Sequence, residues 1–421
     1  MIIFMLIIFA LLAGYALYKG YSLREIAKMA LPGVKDCLIV IVVLMLIGCL
    51  TGLWRASGTV AYFITAGISI MPPSMFILFA FLLTSAMSFA IGTSFGVAAT
   101  AGVILMSIAR AGGVNPVPVA GAIMSGLYVG DRGSPAASSA ALVAALTGTT
   151  QSRNIRMMLR TGIVPFLICI ILYAAMSFSF PLNASDSSVT DSLRSAFTLK
   201  RLCILPAILM IVLPFLKVPV KLSMLIDIVI SFLLTVFIQK ASVLSALKAM
   251  ILGYTPDSPE LAAMLSGGGM ISMLNVCVIL IISGTFGGIL RETGLLAGID
   301  ARLSKYRGKK VRFPIMCLLS LACCAVLCNQ TIGAIIVNQL SGGLYGDDEE
   351  EKYARMIDIE DSVILLAGLI PWCIACSVPL TTIGVGAAAV PLAFYLWLIP
   401  LCRIISLRKS RNKKSCFSAA I

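Results

Sequence analysis

The sequence predicts an all-α polytopic membrane protein built from two inverted-topology repeats with interrupted transmembrane helices, about 10–13 membrane segments in all. Three observations predict it. The 421 residues are 60% hydrophobic and only 12% charged, with a mean hydropathy of +1.04, whereas soluble domains run roughly 45–50% apolar and about 25% charged. Lys and Arg fall in short clusters between apolar runs. Breaks in the apolar regions of the two halves keep one register, 236 residues apart.

The same composition excludes other classes. Runs such as Met1–Tyr18 and Leu38–Leu50 do not alternate, so a membrane β-barrel is excluded. With no His in the chain, His-based metal sites, triads and pH sensing are excluded too. The net charge of +14 would suggest nucleic acid in a soluble protein, but clusters between apolar runs are the positive-inside bias of cytoplasmic loops. The 13 Cys are mostly scattered inside apolar stretches as small hydrophobes. Trp372-Cys373-Ile374-Ala375-Cys376 spells a thioredoxin-like motif, but it lies in a membrane segment rather than a strand–helix turn.

A membrane helix needs about 20 mostly apolar residues. Residues 1–18 lack a basic start and a small-residue cleavage site, so they read as a retained span rather than a signal peptide. Further apolar stretches fall at 36–54, 73–109, 115–149, 161–180, 202–216 and 222–238, and then at 269–290, 313–345, 357–386 and 387–407. Basic clusters at 19–35, 153–160, 302–312 and 403–414 mark the cytoplasmic side. The stretch 181–198, with Asp186 and Asp191, then faces out, and segments 36–54 and 269–290 cross in opposite directions. The run Asp347–Glu351 reads as a short solvated loop.

Gly52-Leu53-Trp54-Arg55-Ala56-Ser57-Gly58 resembles Gly288-Ile289-Leu290-Arg291-Glu292-Thr293-Gly294, an offset of 236 that also links Ser94 to Gln330 and Pro135 to Pro371. Five units follow: residues 1–33, a helix and basic loop; 34–180, the first repeat; 181–268, an external loop and linking hairpin; 269–407, the second repeat; and 408–421, a basic cytoplasmic tail.

The chemistry is expected at the interruptions. Irregular backbone survives in hydrocarbon only inside protein or beside water. Gly92-Thr93-Ser94-Phe95-Gly96 and its counterpart Cys328-Asn329-Gln330-Thr331-Ile332-Gly333 bring hydroxyls, amides and freed backbone groups near mid-membrane. They suit a small cation, or are polar kinks satisfied by neighbouring helices. Gly130-Asp131-Arg132-Gly133-Ser134-Pro135, followed by Ser138 and Ser139, interrupts another apolar stretch. A carboxylate at helix centre costs about 2.5–3.5 kcal/mol, so it usually faces a cavity. Asp131 is either a cation ligand or the partner of Arg132 in a loop. Asp358-Ile359-Glu360-Asp361-Ser362 either opens a helix, where acids are favoured, or places Glu360 or Asp361 on an ion path. Asp227 reads as interfacial, close to Lys221.

The stretch from Leu46 through Gly58-Thr59-Val60, then Gly92-Thr93-Ser94 and Gly130 to Pro135, with Ile359-Glu360-Asp361-Ser362 and Leu369-Ile370-Pro371-Trp372, resembles the NhaC-type Na+/H+ antiporter family, over about 46–150 and 270–405. The resemblance implies an ion-transporter fold of two inverted repeats with broken helices, and a group that includes Na+/H+ antiporters and Na+-coupled exchangers of organic acids. The chain departs from the family's S-P-x-S-D-T, reading Ser134-Pro135-Ala136-Ala137-Ser138-Ser139, so Ser138 replaces an Asp. Leu366-Ala367-Gly368 replaces T-S-P, and Cys373 replaces an Asn. Losing a carboxylate lowers the charge that can hold a bare cation, which gives weight to an organic substrate.

The expected function is secondary active transport, Na+ out against H+ in, by alternating access. The alternative is a Na+- or H+-coupled carrier of a small amino acid or carboxylate. The expected ion or substrate site comprises Thr93, Ser94, Asp131, Ser134, Ser138, Asn329, Gln330, Thr331, Glu360 and Asp361. No enzyme activity, cofactor, resident metal or nucleic acid is expected. The partners are the transported cation, a small organic substrate, the bilayer and, as an admissible assembly, a second copy. The expected location is the inner cell membrane, multi-pass, with a cytoplasmic C-terminus. An ATP-driven pump is disfavoured because no P-loop motif occurs.

Overall fold

Helix boundaries in the two halves of the computed structural model coincide at the offset of the sequence repeat. The structure describes residues 2–70, 72–182, 187–216, 218–293, 302–307 and 311–418. Asp186 of the stretch expected to face out, Lys310 of the basic cluster 302–312 and Gly294 of the repeat lie outside the described residues. Helix Phe76–Ile91 ends at Gly92 (φ +75°, ψ +23°), and helix Arg312–Leu327 ends 236 residues on at Cys328 (φ +53°, ψ +17°). Thr93 and Asn329 then cap the next helices with nearly identical extended backbone, φ −142° and −139°. Helices Ser138–Thr147 and Ile374–Ile383 repeat the register, each closed by a left-handed glycine, Gly148 or Gly384.

Each half contains a helical hairpin. Phe76–Ile91 turns at Gly92–Thr93 into Ser94–Ala111, and both ends of this first hairpin come together. Leu182 donates its N–H to the Pro73 carbonyl at 2.9 Å, and a methyl on Gly112 would sit 2.2 Å from Leu182 Cδ1. In the second hairpin, Arg312–Leu327 turns at Cys328–Asn329 into Gln330–Leu340. Arg312 at its start lies 4.4 Å from the ring centre of Tyr345, just past its end. The stretches 73–109 and 313–345, expected to be interrupted spans, therefore fold back on themselves.

A broken helix follows each hairpin. The first is Pro116–Gly133 followed by Ser138–Thr147, with extended backbone at Ser134 and Ala137. The second is helix Glu349–Glu360, carried on by two short turns as far as Leu369, followed by Ile374–Ile383, with a bend of 48° at the break. They run in opposite directions. The first ends where the second begins, with Thr150 Oγ1 2.9 Å from Tyr353 Oη. The second ends at the base of the first hairpin, where Arg110 donates to the Ile383 carbonyl at 3.0 Å.

The glycine-bearing helices Leu23–Ala56 and Leu274–Glu292 correspond in the sequence repeat and pack antiparallel. A methyl at Gly33 would lie 1.9 Å from the Gly284 oxygen, one at Gly288 2.0 Å from the Met29 oxygen, and one at Gly48 2.6 Å from the Gly269 oxygen. Small residues allow such backbone contact where no hydrophobic effect drives helices together.

Among the described residues, five helices are long and apolar enough to cross a membrane, or up to eight if each bent pair is one span. Five shorter apolar helices of 10–17 residues accompany them. Ten to thirteen membrane segments are reached only when these shorter helices are counted.

Four local expectations change. The basic loop after residue 18 is largely helix, because Ser22 and Glu25 form a capping box that starts Leu23–Ala56. The run Asp347–Glu351 is no loop: Asp348 accepts the Glu351 N–H and begins a helix. Asp358, Glu360 and Asp361 close that helix rather than open one. Asp227, expected near the water-facing end beside Lys221, is fully buried within the protein and accepts from Trp54 Nε1 at 2.9 Å and from Ser231 Oγ at 3.3 Å.

Candidate functional site

The turns of the hairpins meet the breaks of the broken helices. A methyl on Gly92 would sit 2.4 Å from the Ala136 carbonyl carbon, and the Cys328 carbonyl accepts the Ile374 N–H at 2.9 Å. The halves also interlock, since Tyr128 of the first donates to the Ala375 carbonyl of the second at 2.7 Å. Backbone freed at four interruptions is thus gathered at one place, inside protein rather than against lipid.

Among the described residues, two carboxyl groups at this junction form no ion pair. Asp131, 6% exposed, accepts from Gln330 Nε2 at 3.1 Å, with Ser139 Oγ 3.5 Å away and Ser94 alongside. Ser139 also bonds the Asp131 carbonyl. Glu360 is 1% exposed, and neither of its carboxyl oxygens has a hydrogen-bond partner. Arg132, Asp361 and Asp131 all lie within its electrostatic reach.

The neighbouring charges are already matched. Arg132 turns away from Asp131 and binds Asp361, its Nε at 3.0 Å from Oδ1. It also donates to the Met158 carbonyl at 2.9 Å and to Thr161. Arg403 binds Asp358 and stands 3.4 Å from Asp361 Oδ2. Arg312 binds Glu351 at 2.6 Å and reaches Asp358 at 3.6 Å. Three arginines therefore serve Glu351, Asp358 and Asp361. Acids at a helix C-terminus oppose its dipole, typically by 0.3–1 kcal/mol each. The arginines offset this directly for Asp358 and Asp361, while Glu360 feels Arg132 only at a distance and forms no ion pair with it.

A cleft of about 400 Å³, lined by Arg153, Arg160, Thr161, Glu350, Tyr353 and Arg403, leads to this network. Thr161 at its inner end donates to Asp361 Oδ1 at 3.3 Å.

The ten sequence-expected site residues divide. Ser94, Asp131, Gln330 and Glu360 converge on the junction. Asp361 lies beside it, committed to Arg132. Thr93, Ser134 and Asn329 spend their side-chain oxygens on local backbone, accepting from Gly96, Ala136 and Thr331 at 3.4, 3.1 and 2.9 Å. Ser138 and Thr331 are exposed. Ser139, one position past the chosen serine, is the hydroxyl that touches Asp131. Arg403 carries no such signal in the sequence, where a basic cluster after an apolar run reads only as a flank.

A model described as the Na+/H+ antiporter family matches residues 1–152 and 126–408. The chain is 28% identical over 371 residues to the malate-2H+/Na+-lactate antiporter of Bacillus subtilis, covering 86% of this chain and 79% of that protein. It is 26% identical over 408 residues to the Na+/H+ antiporter NhaC of the same organism, covering 94% and 89%. An uncharacterized Na+/H+ antiporter of Haemophilus influenzae is 25% identical over 408 residues, covering 93% and 87%.

Proposed function

We propose that this chain, which belongs to the Na+/H+ antiporter family, exchanges Na+ for H+ at Asp131 and Glu360. The observation that carries the reading is the pairing pattern. Among the described residues, the other carboxylates around the junction pair with an arginine, while the Glu360 oxygens accept no hydrogen bond and Asp131 has only neutral donors. A bare buried carboxylate is costly, so such a group holds a proton or a cation. Na+ and H+ then compete for the same oxygens, and a carrier that moves only when they are occupied exchanges one ion for the other. Gln330 and Ser139 supply donors that orient Asp131, and Ser94 and the freed carbonyls supply neutral oxygens.

The antiparallel glycine-bearing helices and oppositely directed broken helices support an inverted pair of repeats over 34–180 and 269–407. The basic segments support a cytoplasmic C-terminus. A second reading, cation-coupled carriage of a small carboxylate, is favoured by the 28% identity to a protein named for malate and lactate.

The test is proton flux into proteoliposomes under an imposed Na+ gradient. Wild-type protein should acidify or alkalinise the lumen according to the direction of the gradient, and Glu360→Gln should not. Flux unchanged in Glu360→Gln would refute the assignment.

A further inference from the structure

The cleft of about 400 Å³ that reaches the arginine network lies at a membrane boundary. Helix Gln151–Ser179 carries Arg153, Arg156 and Arg160 at spacings of three and four, so the three share one face, and all are exposed. Further along, the same face turns apolar. Ile163 and Val164 lie one turn beyond Arg160 and Leu167 two turns beyond, and they are 53–59% exposed. A helix face that passes from exposed arginines to exposed aliphatic side chains marks the level where water gives way to hydrocarbon. Arg153 and Arg160 put the cleft at that level.

The cleft walls carry both signs of charge. Arg160 lines it from helix Gln151–Ser179 and Glu350 from helix Glu349–Glu360, and neither forms an ion pair or a side-chain hydrogen bond among the described residues. The other two arginines are engaged. Arg153 pairs with Glu349 at 2.7 Å and lies over the Tyr353 ring, 3.9 Å from its centre, while Arg403 binds Asp358. Met157, Ala354 and Ile357 give the cleft an apolar wall. Its rim is acidic, because the exposed residues Asp347, Asp348 and Glu349 directly precede Glu350. Solvation accounts for an exposed Arg or an exposed Glu taken singly. It does not account for two unmatched charges of opposite sign lining one cleft from two helices, beside an apolar wall, at the level where lipid headgroups lie.

From this geometry we infer that the cleft binds the phosphoethanolamine headgroup of a phospholipid. The phosphodiester meets Arg160, with Arg153 beside it, and the primary ammonium meets Glu350. The acyl chains follow Ile163, Val164 and Leu167 into the bilayer. Basic pockets between membrane helices take lipid phosphates, and a guanidinium fits a phosphate better than an ammonium does. The acidic rim favours a headgroup that brings its own cation over one with net negative charge. Arg160 belongs to the first half of the chain and Glu350 to the second, so the lipid joins the halves beside Thr161 and its Asp361 contact. The site is separate from Asp131 and Glu360 and does not need the Na+/H+ reading to hold.

The test is thermal unfolding of the purified full chain in detergent, titrated with short-chain phosphatidylethanolamine, phosphatidylcholine or phosphatidylglycerol, and with inorganic phosphate. Phosphatidylcholine has the same phosphate and net charge as phosphatidylethanolamine but no ammonium N–H. Phosphatidylethanolamine should raise the melting temperature saturably, with its half-maximal effect at a concentration about tenfold below that of phosphatidylcholine. Arg160→Gln and Glu350→Gln should each abolish that preference. Arg156→Gln, which removes the same charge from the same helix face outside the cleft, should keep it. All three positions are exposed, so the variants retain the fold. Four results would overturn the inference: equal effects of phosphatidylethanolamine and phosphatidylcholine, a stronger effect of phosphatidylglycerol than of either, an equal shift with inorganic phosphate, or a loss in Arg156→Gln as large as in Arg160→Gln. The readout uses neither Na+ nor proton flux, so failure of the exchange reading leaves it unchanged.

Discussion

Arg132 pairs with Asp361, 229 residues away, and not with Asp131 beside it in the chain. Adjacent residues of a helix point about 100° apart, so one turn of Pro116–Gly133 can send a carboxylate to one half-site and a guanidinium to another. The consequence is that Asp131 keeps only neutral donors and remains available to a cation.

This pair can be broken and rebuilt. Removing one partner of a buried ion pair typically costs about 3–5 kcal/mol because the other charge is stranded. Arg132→Gln should therefore lower thermal stability in detergent markedly, though Arg403, 3.4 Å from Asp361 Oδ2, will hold part of the loss. Arg132→Gln with Asp361→Asn should recover most of it. Asp131→Asn should leave the melting temperature near that of wild type. A drop for Asp131→Asn as large as for Arg132→Gln would mean that the two neighbours share one network after all.

Gln330 is the contact that joins the second hairpin to Asp131. Its amide donates to Asp131 Oδ2 at 3.1 Å and to the Ile364 carbonyl at 2.8 Å. Gln330→Leu keeps the size and removes both donors. Unmet buried acceptors cost about 1–3 kcal/mol, so the Na+ concentration for half-maximal flux should shift by roughly tenfold or more. Na+ dependence that stays at the wild-type value would show that Gln330 only fills space.

Sidedness follows from which loops meet. Arg153 and Glu349 form an exposed ion pair at 2.7 Å, so single cysteines there should be labelled from one face. Lys240, exposed beyond helix Val220–Phe237, should be labelled from the other. The background must lack the native cysteines. Labelling of positions 153 and 240 from the same side would remove the basis for inverted repeats.

Glu360→Gln separates function from stability. Its carboxyl oxygens have no partner to lose, so the variant should unfold at the same or a higher temperature than wild type while losing Na+-driven proton flux. A fall in stability together with flux would instead mark Glu360 as a structural acid.

Much of this was legible in the chain. Gly92, Pro135 and Pro371 announce breaks because a left-handed turn and a missing N–H donor are properties of single residues. Asp131 stands out because a carboxylate inside an apolar run is costly wherever it points. The fold-back at Gly92 and at Cys328 was hidden, since hydropathy reports how apolar a segment is and not which way it travels. The division of labour between Glu360 and Asp361 was hidden too, because the arginines that select between them come from positions 132 and 403. The same holds for Ser139 over Ser138, where one helical step decides which hydroxyl faces Asp131.

Competition between Na+ and H+ for Asp131 and Glu360 is tested most directly by counting protons as Na+ binds. Calorimetric titration of the purified chain with NaCl, in buffers of different ionisation enthalpy, gives the number released. At a pH where the site is protonated, Na+ should displace at least about one proton per ion bound. That release should disappear in Glu360→Gln and fall in Asp131→Asn. Na+ binding with no proton release, or with release unchanged in both variants, would contradict a shared carboxylate site.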